Sequence, residues 1–218
     1  MNQVGANRQR SPSLGEEIAN SASHGIGLVA AAVGMPFLVL AAARHGGPSG
    51  IVGASVFAGS VLLLYFTSTL YHALPRNRAK HVFRILDHSA IFLLIAGTYT
   101  PFTLGLLRGT WGWTLFGVVW SVAILGIILK AVDGVRYPRL STGLYVVMGW
   151  LALIAIRPLW LRMPVSAWGW VLAGGLAYTA GIAFYASDHR IRYGHFVWHV
   201  FVLVGTVCHF FAVLWYAV

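Results

Sequence analysis

Two histidines four residues apart, His195 and His199, open the last apolar run of the chain, Tyr193 to Val218. On a helix such residues share one face, about 6 Å apart along the axis, so both imidazoles can address one object. Ionisable groups inside an apolar span are costly to place and point to a functional site. A third histidine, His72, and a carboxylate, Asp87, sit at the ends of two earlier apolar runs. Three imidazoles are a ligand set for zinc, which binds nitrogen at about 2.0–2.1 Å and in catalytic sites keeps a fourth position for water. Asp87 would then hold and deprotonate that water without binding the metal. Ser68, one helical turn before His72, would place a hydroxyl near the water or near an oxyanion.

A plainer reading stands beside this one. An H-x-x-x-H pair is common, and each histidine could instead hydrogen-bond a neighbouring helix. His24 suits a supporting or structural role, with Asn20 and Glu16 or Glu17 nearby on its helix. His209 lies ten residues beyond His199, about 15 Å deeper by helical rise, too far to share the same ion. His88 points about 100° away from Asp87 and suits a helix contact. His45, His81 and His189 read as loop residues.

The elements that must position these side chains follow from composition. Of 218 residues, 58% are hydrophobic and 9% charged, which is not a soluble balance. Crossing ~30 Å of hydrocarbon takes about 20 helical residues. Seven runs qualify: Ala19–Ala43, Gly50–His72, Arg84–Leu107, Trp113–Lys130, Leu140–Ile156, Trp168–Ser187 and His195–Tyr216. Backbone groups in lipid must be satisfied internally, and continuous apolar runs without period-2 alternation choose helices over a barrel. The fold expected is an all-α, seven-transmembrane helix bundle over residues 16–218, preceded by a disordered cytoplasmic arm, 1–15, that lacks the apolar core of a signal peptide. Pro101 should kink the third span.

The formal charge is +10, with fifteen Lys and Arg against five acids. The bases occur one to four at a time at span ends, so no nucleic-acid surface is implied. Eleven fall on the side of the N-terminus and four on the other, which places the N-terminus inside and the C-terminus outside. On that topology His72, Asp87, His195 and His199 share one depth near the inner face. Cys208, the single cysteine, excludes an internal disulfide.

At these residues the chain resembles the hemolysin III family, the bacterial branch of the progestin and adipoQ receptor group, itself related to the alkaline ceramidases. The resemblance covers about Gly15 to Val218. It rests on Glu16-Glu17-Ile18-Ala19-Asn20, His24-Gly25-Ile26-Gly27, Ser68-Thr69-Leu70-Tyr71-His72, Asp87-His88-Ser89, Gly97-Thr98-Tyr99-Thr100-Pro101 and Gly194-His195-Phe196-Val197-Trp198-His199. It implies zinc on His72, His195 and His199 near the cytoplasmic face, with Asp87 touching the zinc water. It also implies a multi-pass protein of the cell membrane whose partner is a membrane lipid, as substrate or ligand. The activity expected is hydrolysis of a lipid amide or ester bond at the inner leaflet. The alternatives are a non-catalytic sensor or receptor with structural zinc, and a hemolysin-type pore. A haem site is a minor option, and the sequence sets no oligomeric state.

Overall fold

The computed structural model describes residues 10–134 and 136–217. Helix α1 (Leu14–His45) starts at a capping box, in which the Ser13 hydroxyl accepts from Glu16 N–H and the Glu16 carboxylate accepts from Ser13 N–H. It thus begins inside the expected arm, of which residues 1–9 lie outside the described residues. Helix α2 (Gly47–Ala73) follows at once, because Gly47 takes φ 61° and Pro48 sits in the first turn, where its missing N–H costs nothing. Lys80 Nζ donates to the Tyr71 and Leu74 carbonyls at 2.9 and 3.2 Å, satisfying orphan acceptors at the end of α2.

Helix α3 (Arg78–Pro101) is capped by Asn77 and starts six residues before the expected Arg84. Pro101 lies in the far half of the span. It ends the α-helix, and Phe102–Leu107 continue as a π-helical turn. Helix α4 (Gly109–Asp133) completes the fourth span.

The fifth span is the irregular one. Helix α5 (Pro138–Gly149) breaks at Trp150, and a 3₁₀ turn at Leu151–Ala155 leads into the short α6 (Ile156–Trp160). A break inside lipid frees backbone groups that need partners. Tyr99 supplies them: its hydroxyl donates to the Gly149 carbonyl and accepts from Ala152 N–H, both at 2.9 Å. Helices α7 (Val165–Ser187) and α8 (Gly194–Tyr216) are unbroken.

Seven segments are therefore long and apolar enough to cross a membrane, and the protein is a multi-pass membrane protein. Helix α1 packs on α2 and α8, α2 on α3, α3 on α4, and α7 on α8, while α5 touches its neighbours lightly. Glycines set the closest approaches. A Cβ on Gly53 would lie 2.6 Å from Pro101 Cα, and one on Gly97 would overlap the Ser60 side chain. One cluster, built on Phe57, Val61 and Tyr65 of α2, joins spans one, two, three and seven, and a second surrounds Phe92, Val119 and Met148. Large apolar side chains such as Ile26, Val29, Val33 and Phe37 stay exposed along α1, as a lipid-facing surface requires.

Candidate metal centre

His72, His195 and His199 come together at one end of the bundle. One ligand atom from each lies within 4.8 Å of the others, so the three can hold a metal ion. Four-coordinate geometry at 2.0–2.1 Å would put nitrogens about 3.3 Å apart, so the rings need close by about 1.5 Å at most. His72 ends α2, and His195 and His199 begin α8; the ring centroids of His72 stand 5.1 Å from each of the other two.

Hydrogen bonding orients each ring the same way. His72 Nδ1 faces Glu17 Oε2 at 2.7 Å, and His195 Nδ1 faces Asp188 Oδ2 at 3.1 Å. His199 Nδ1 faces the Asn20 carbonyl at 3.2 Å and Ser23 Oγ at 3.0 Å. Ser23 gives its own proton to the Asn20 carbonyl at 2.8 Å, so its oxygen accepts from His199. In all three cases the proton belongs on Nδ1, and Nε2 keeps a lone pair for an ion. Carboxylate or carbonyl partners on the far nitrogen are the usual support of metal-bound histidine. Glu17 is itself steadied by Lys80 Nζ, 3.0 Å from its other oxygen.

The donor set passes a direct test of fit. His72 Nε2 is buried and has no hydrogen-bond partner among the described residues. A buried polar atom without a partner costs about 1–3 kcal/mol, and an ion would relieve that cost.

Asp87 is buried and lines a cavity of about 20 Å³ together with His24, His88, His195 and His199. That volume admits about one water. Ser68 is fully buried beside Asp87, and its hydroxyl makes no well-formed hydrogen bond among the described residues. His24 lies outside the three-ligand group. It stacks on His199 with centroids 3.6 Å apart and planes 8° apart, and both its ring nitrogens are buried without partners among the described residues. His88 is a helix contact, with Nδ1 facing the Arg84 carbonyl at 2.7 Å. His45 and His81, read as loop residues, lie instead in the last turn of α1 and the first turn of α3.

The sequence placed Glu17 and Asn20 near His24 but did not pair them with the ligand histidines, and it gave no sign of Ser23 or Asp188. Glu17, Asn20 and His24 follow an i, i+3, i+7 spacing that puts them on one face of α1, which was the available signal. Another connection is also new. Arg10 grips Glu16 with both guanidinium nitrogens, and Glu16 Oε1 accepts from Tyr193 N–H at 3.0 Å. Tyr193 has φ 59°, uncommon for a side chain of its size, and it immediately precedes the helix that carries His195.

The fold that joins these histidines and carboxylates also has known relatives. The haemolysin-III related family matches residues 13–210. The chain belongs to that family. It is 45% identical to the Bacillus subtilis Hemolysin-3 homolog over 93% of this chain and 95% of that protein. It is 44% identical to Bacillus cereus Hemolysin-3, over 92% and 91% of the two chains. More distantly, it is 24% identical to human monocyte to macrophage differentiation factor, over 95% and 87%. No solved structure matches.

Beyond the small cavity the bundle opens into two larger apolar ones. The nearer, about 90 Å³, shares Leu64, Ile91, Trp198 and Val202 with the cavity at Asp87. The farther, about 120 Å³, runs along the broken fifth span beside Leu153, Ile156 and Trp168.

Proposed function

We propose that this protein is a zinc-dependent hydrolase of lipid amide or ester bonds, working at the inner leaflet of the cell membrane. The observation that carries the reading is the ligand count. Three imidazoles converge, and the acids beside them bind the far nitrogens instead of completing the shell. Three protein ligands mark catalytic zinc, whereas structural zinc is normally closed by four. The excess of Lys and Arg on the side of the N-terminus favours the inner face for the site.

His72, His195 and His199 would hold the ion through Nε2. Bound there, zinc supplies Lewis acidity to a water and to a carbonyl oxygen at neutral pH. Asp87, in the wall of a cavity with room for about one water, would take a proton as a water adds to the carbonyl carbon. It then returns the proton to the departing nitrogen or oxygen, so that water and amide become acid and amine. The Ser68 hydroxyl, uncommitted beside Asp87, donates to the carbonyl oxygen as negative charge gathers on it. The apolar cavities take up the acyl chain and exclude water from the cleavage point.

The experiment is release of fatty acid from a bacterial lipid extract by zinc-loaded protein in nanodiscs. Wild type should release it, and Asp87→Asn should be slower by about 10²-fold or more while retaining its metal. Equal rates for the two would overturn the role of Asp87, and no release by wild type from any lipid would overturn the hydrolase.

A second reading draws on the hemolysin names of the Bacillus relatives, which suggest membrane lysis. It requires dye leakage from liposomes that contain the purified protein, at a rate independent of Asp87.

A further inference from the structure

We propose that His209 selects lipids whose acyl chain carries a hydroxyl about midway along its length. This rests on the lipid-hydrolase reading and adds a specificity to it.

His209 is 6% exposed and lines both larger cavities, at the place where their walls share Thr98, Tyr99 and Trp150. Three sides of its ring are accounted for. Nδ1 donates to the Gly205 carbonyl at 2.8 Å. One face stacks on Tyr178, with centroids 5.4 Å apart and planes 7° apart. The Nδ1–Cε1 edge lies so close to Gly174 that a Cβ there would overlap both atoms. The edge left for the cavity is the one with Nε2. Since Nδ1 carries the proton, Nε2 is an acceptor.

The two hydroxyls on the wall that the cavities share give their protons elsewhere. The Thr98 hydroxyl donates to the Leu94 carbonyl at 2.8 Å, and the Tyr99 hydroxyl donates to the Gly149 carbonyl. A ligand must therefore bring the donor, and a hydroxyl does so where a keto or ether oxygen does not. On the wall of the larger cavity Trp168 Nε1, a donor, is buried without a partner among the described residues. A hydroxylated chain thus meets both hydrogen-bond polarities in a region where a plain chain meets neither.

Helical rise fixes where along the chain the hydroxyl must sit. His209 follows His199 by ten residues, about 15 Å along α8, and both rings lean toward the helix start. A zigzag of 1.52 Å carbon–carbon bonds advances about 1.25 Å per carbon, so a chain whose carbonyl lies at the histidine cluster passes His209 near carbon 12.

The test is competition for a fluorescent N-acyl amide bound to the zinc-loaded protein in nanodiscs. The competitors are N-octadecanoyl, N-(12-hydroxyoctadecanoyl) and N-(2-hydroxyoctadecanoyl) amides of one amine. Wild type should prefer the 12-hydroxy chain roughly tenfold over the plain chain and gain nothing from the 2-hydroxy group. His209→Phe should erase the preference, and His209→Gln, which keeps an acceptor, should restore part of it. Equal affinity of wild type for plain and 12-hydroxy chains, as when a resident water satisfies Nε2, overturns the proposal. So does an unchanged preference in His209→Phe, or no measurable binding of any amide. If His209→Phe does not fold, the wild-type comparison of 12- and 2-hydroxy isomers decides alone. Failure of the hydrolase reading looks different: the binding preference persists and neither amide is cleaved.

Discussion

Glu17 on the first helix and His72 on the second are joined by a 2.7 Å hydrogen bond from the imidazole Nδ1 to the carboxylate. The bond fixes which nitrogen of His72 is bare, and the bare one is buried without any other partner among the described residues. Glu17→Gln keeps the shape but weakens the bond and its pull on the tautomer. Zinc affinity should fall by about 10- to 100-fold, measured by competition with a chromophoric chelator. Unchanged affinity would mean that Glu17 serves only the pairing with Lys80.

Asp188 does for His195 what Glu17 does for His72, but at 3.1 Å and with about a third of its side chain exposed. Solvent screens it more, so Asp188→Asn should cost less zinc affinity than Glu17→Gln in the same assay. A larger loss at Asp188 would reverse the ranking of the two supports.

Close helix approach gives a stability prediction with an internal control. A Cβ on Gly53 would meet the Pro101 backbone, which cannot rotate aside, whereas one on Gly117 meets nothing within 4 Å. Gly53→Ala should destabilise by about 1–3 kcal/mol. Gly117→Ala should be neutral or stabilise by up to about 1 kcal/mol. Thermal unfolding in one detergent compares them, and equal midpoints would contradict the packing described for α2 and α3.

Much of this architecture was legible from the chain, for specific reasons. Seven long apolar runs leave helices as the economical fold, and each expected span falls inside an observed one. His195 and His199 declare a shared face by their spacing alone. The break in the fifth span gave no such sign: Leu151–Ala155 is uniformly apolar, and the Tyr99 hydroxyl that makes the break tolerable comes from another helix. The early start of α3 was masked by Arg78, Lys80 and His81, whose polarity resembles a loop. Asp188 was equally hidden, because a loop residue becomes a histidine's partner only once the chain turns at Tyr193.

That hydroxyl gives a prediction of its own. Tyr99→Phe removes the partner of both the Gly149 carbonyl and Ala152 N–H, leaving two backbone groups unpaired within a span. A loss of about 2 kcal/mol is expected, with faster amide hydrogen exchange confined to residues around 149–155. Exchange that rises uniformly over the protein, or not at all, would show that the turn is held by something else.

The proposed chemistry needs, above all, an ion held by His72, His195 and His199. Metal analysis with X-ray absorption at the zinc edge, on wild type and His195→Ala purified without added metal, tests it most directly. Wild type should hold close to one zinc per chain in a nitrogen- and oxygen-only shell, and His195→Ala should lose most of it. A folded wild type that carries no transition metal, or a variant that keeps its full complement, would rule out a metal centre at these histidines.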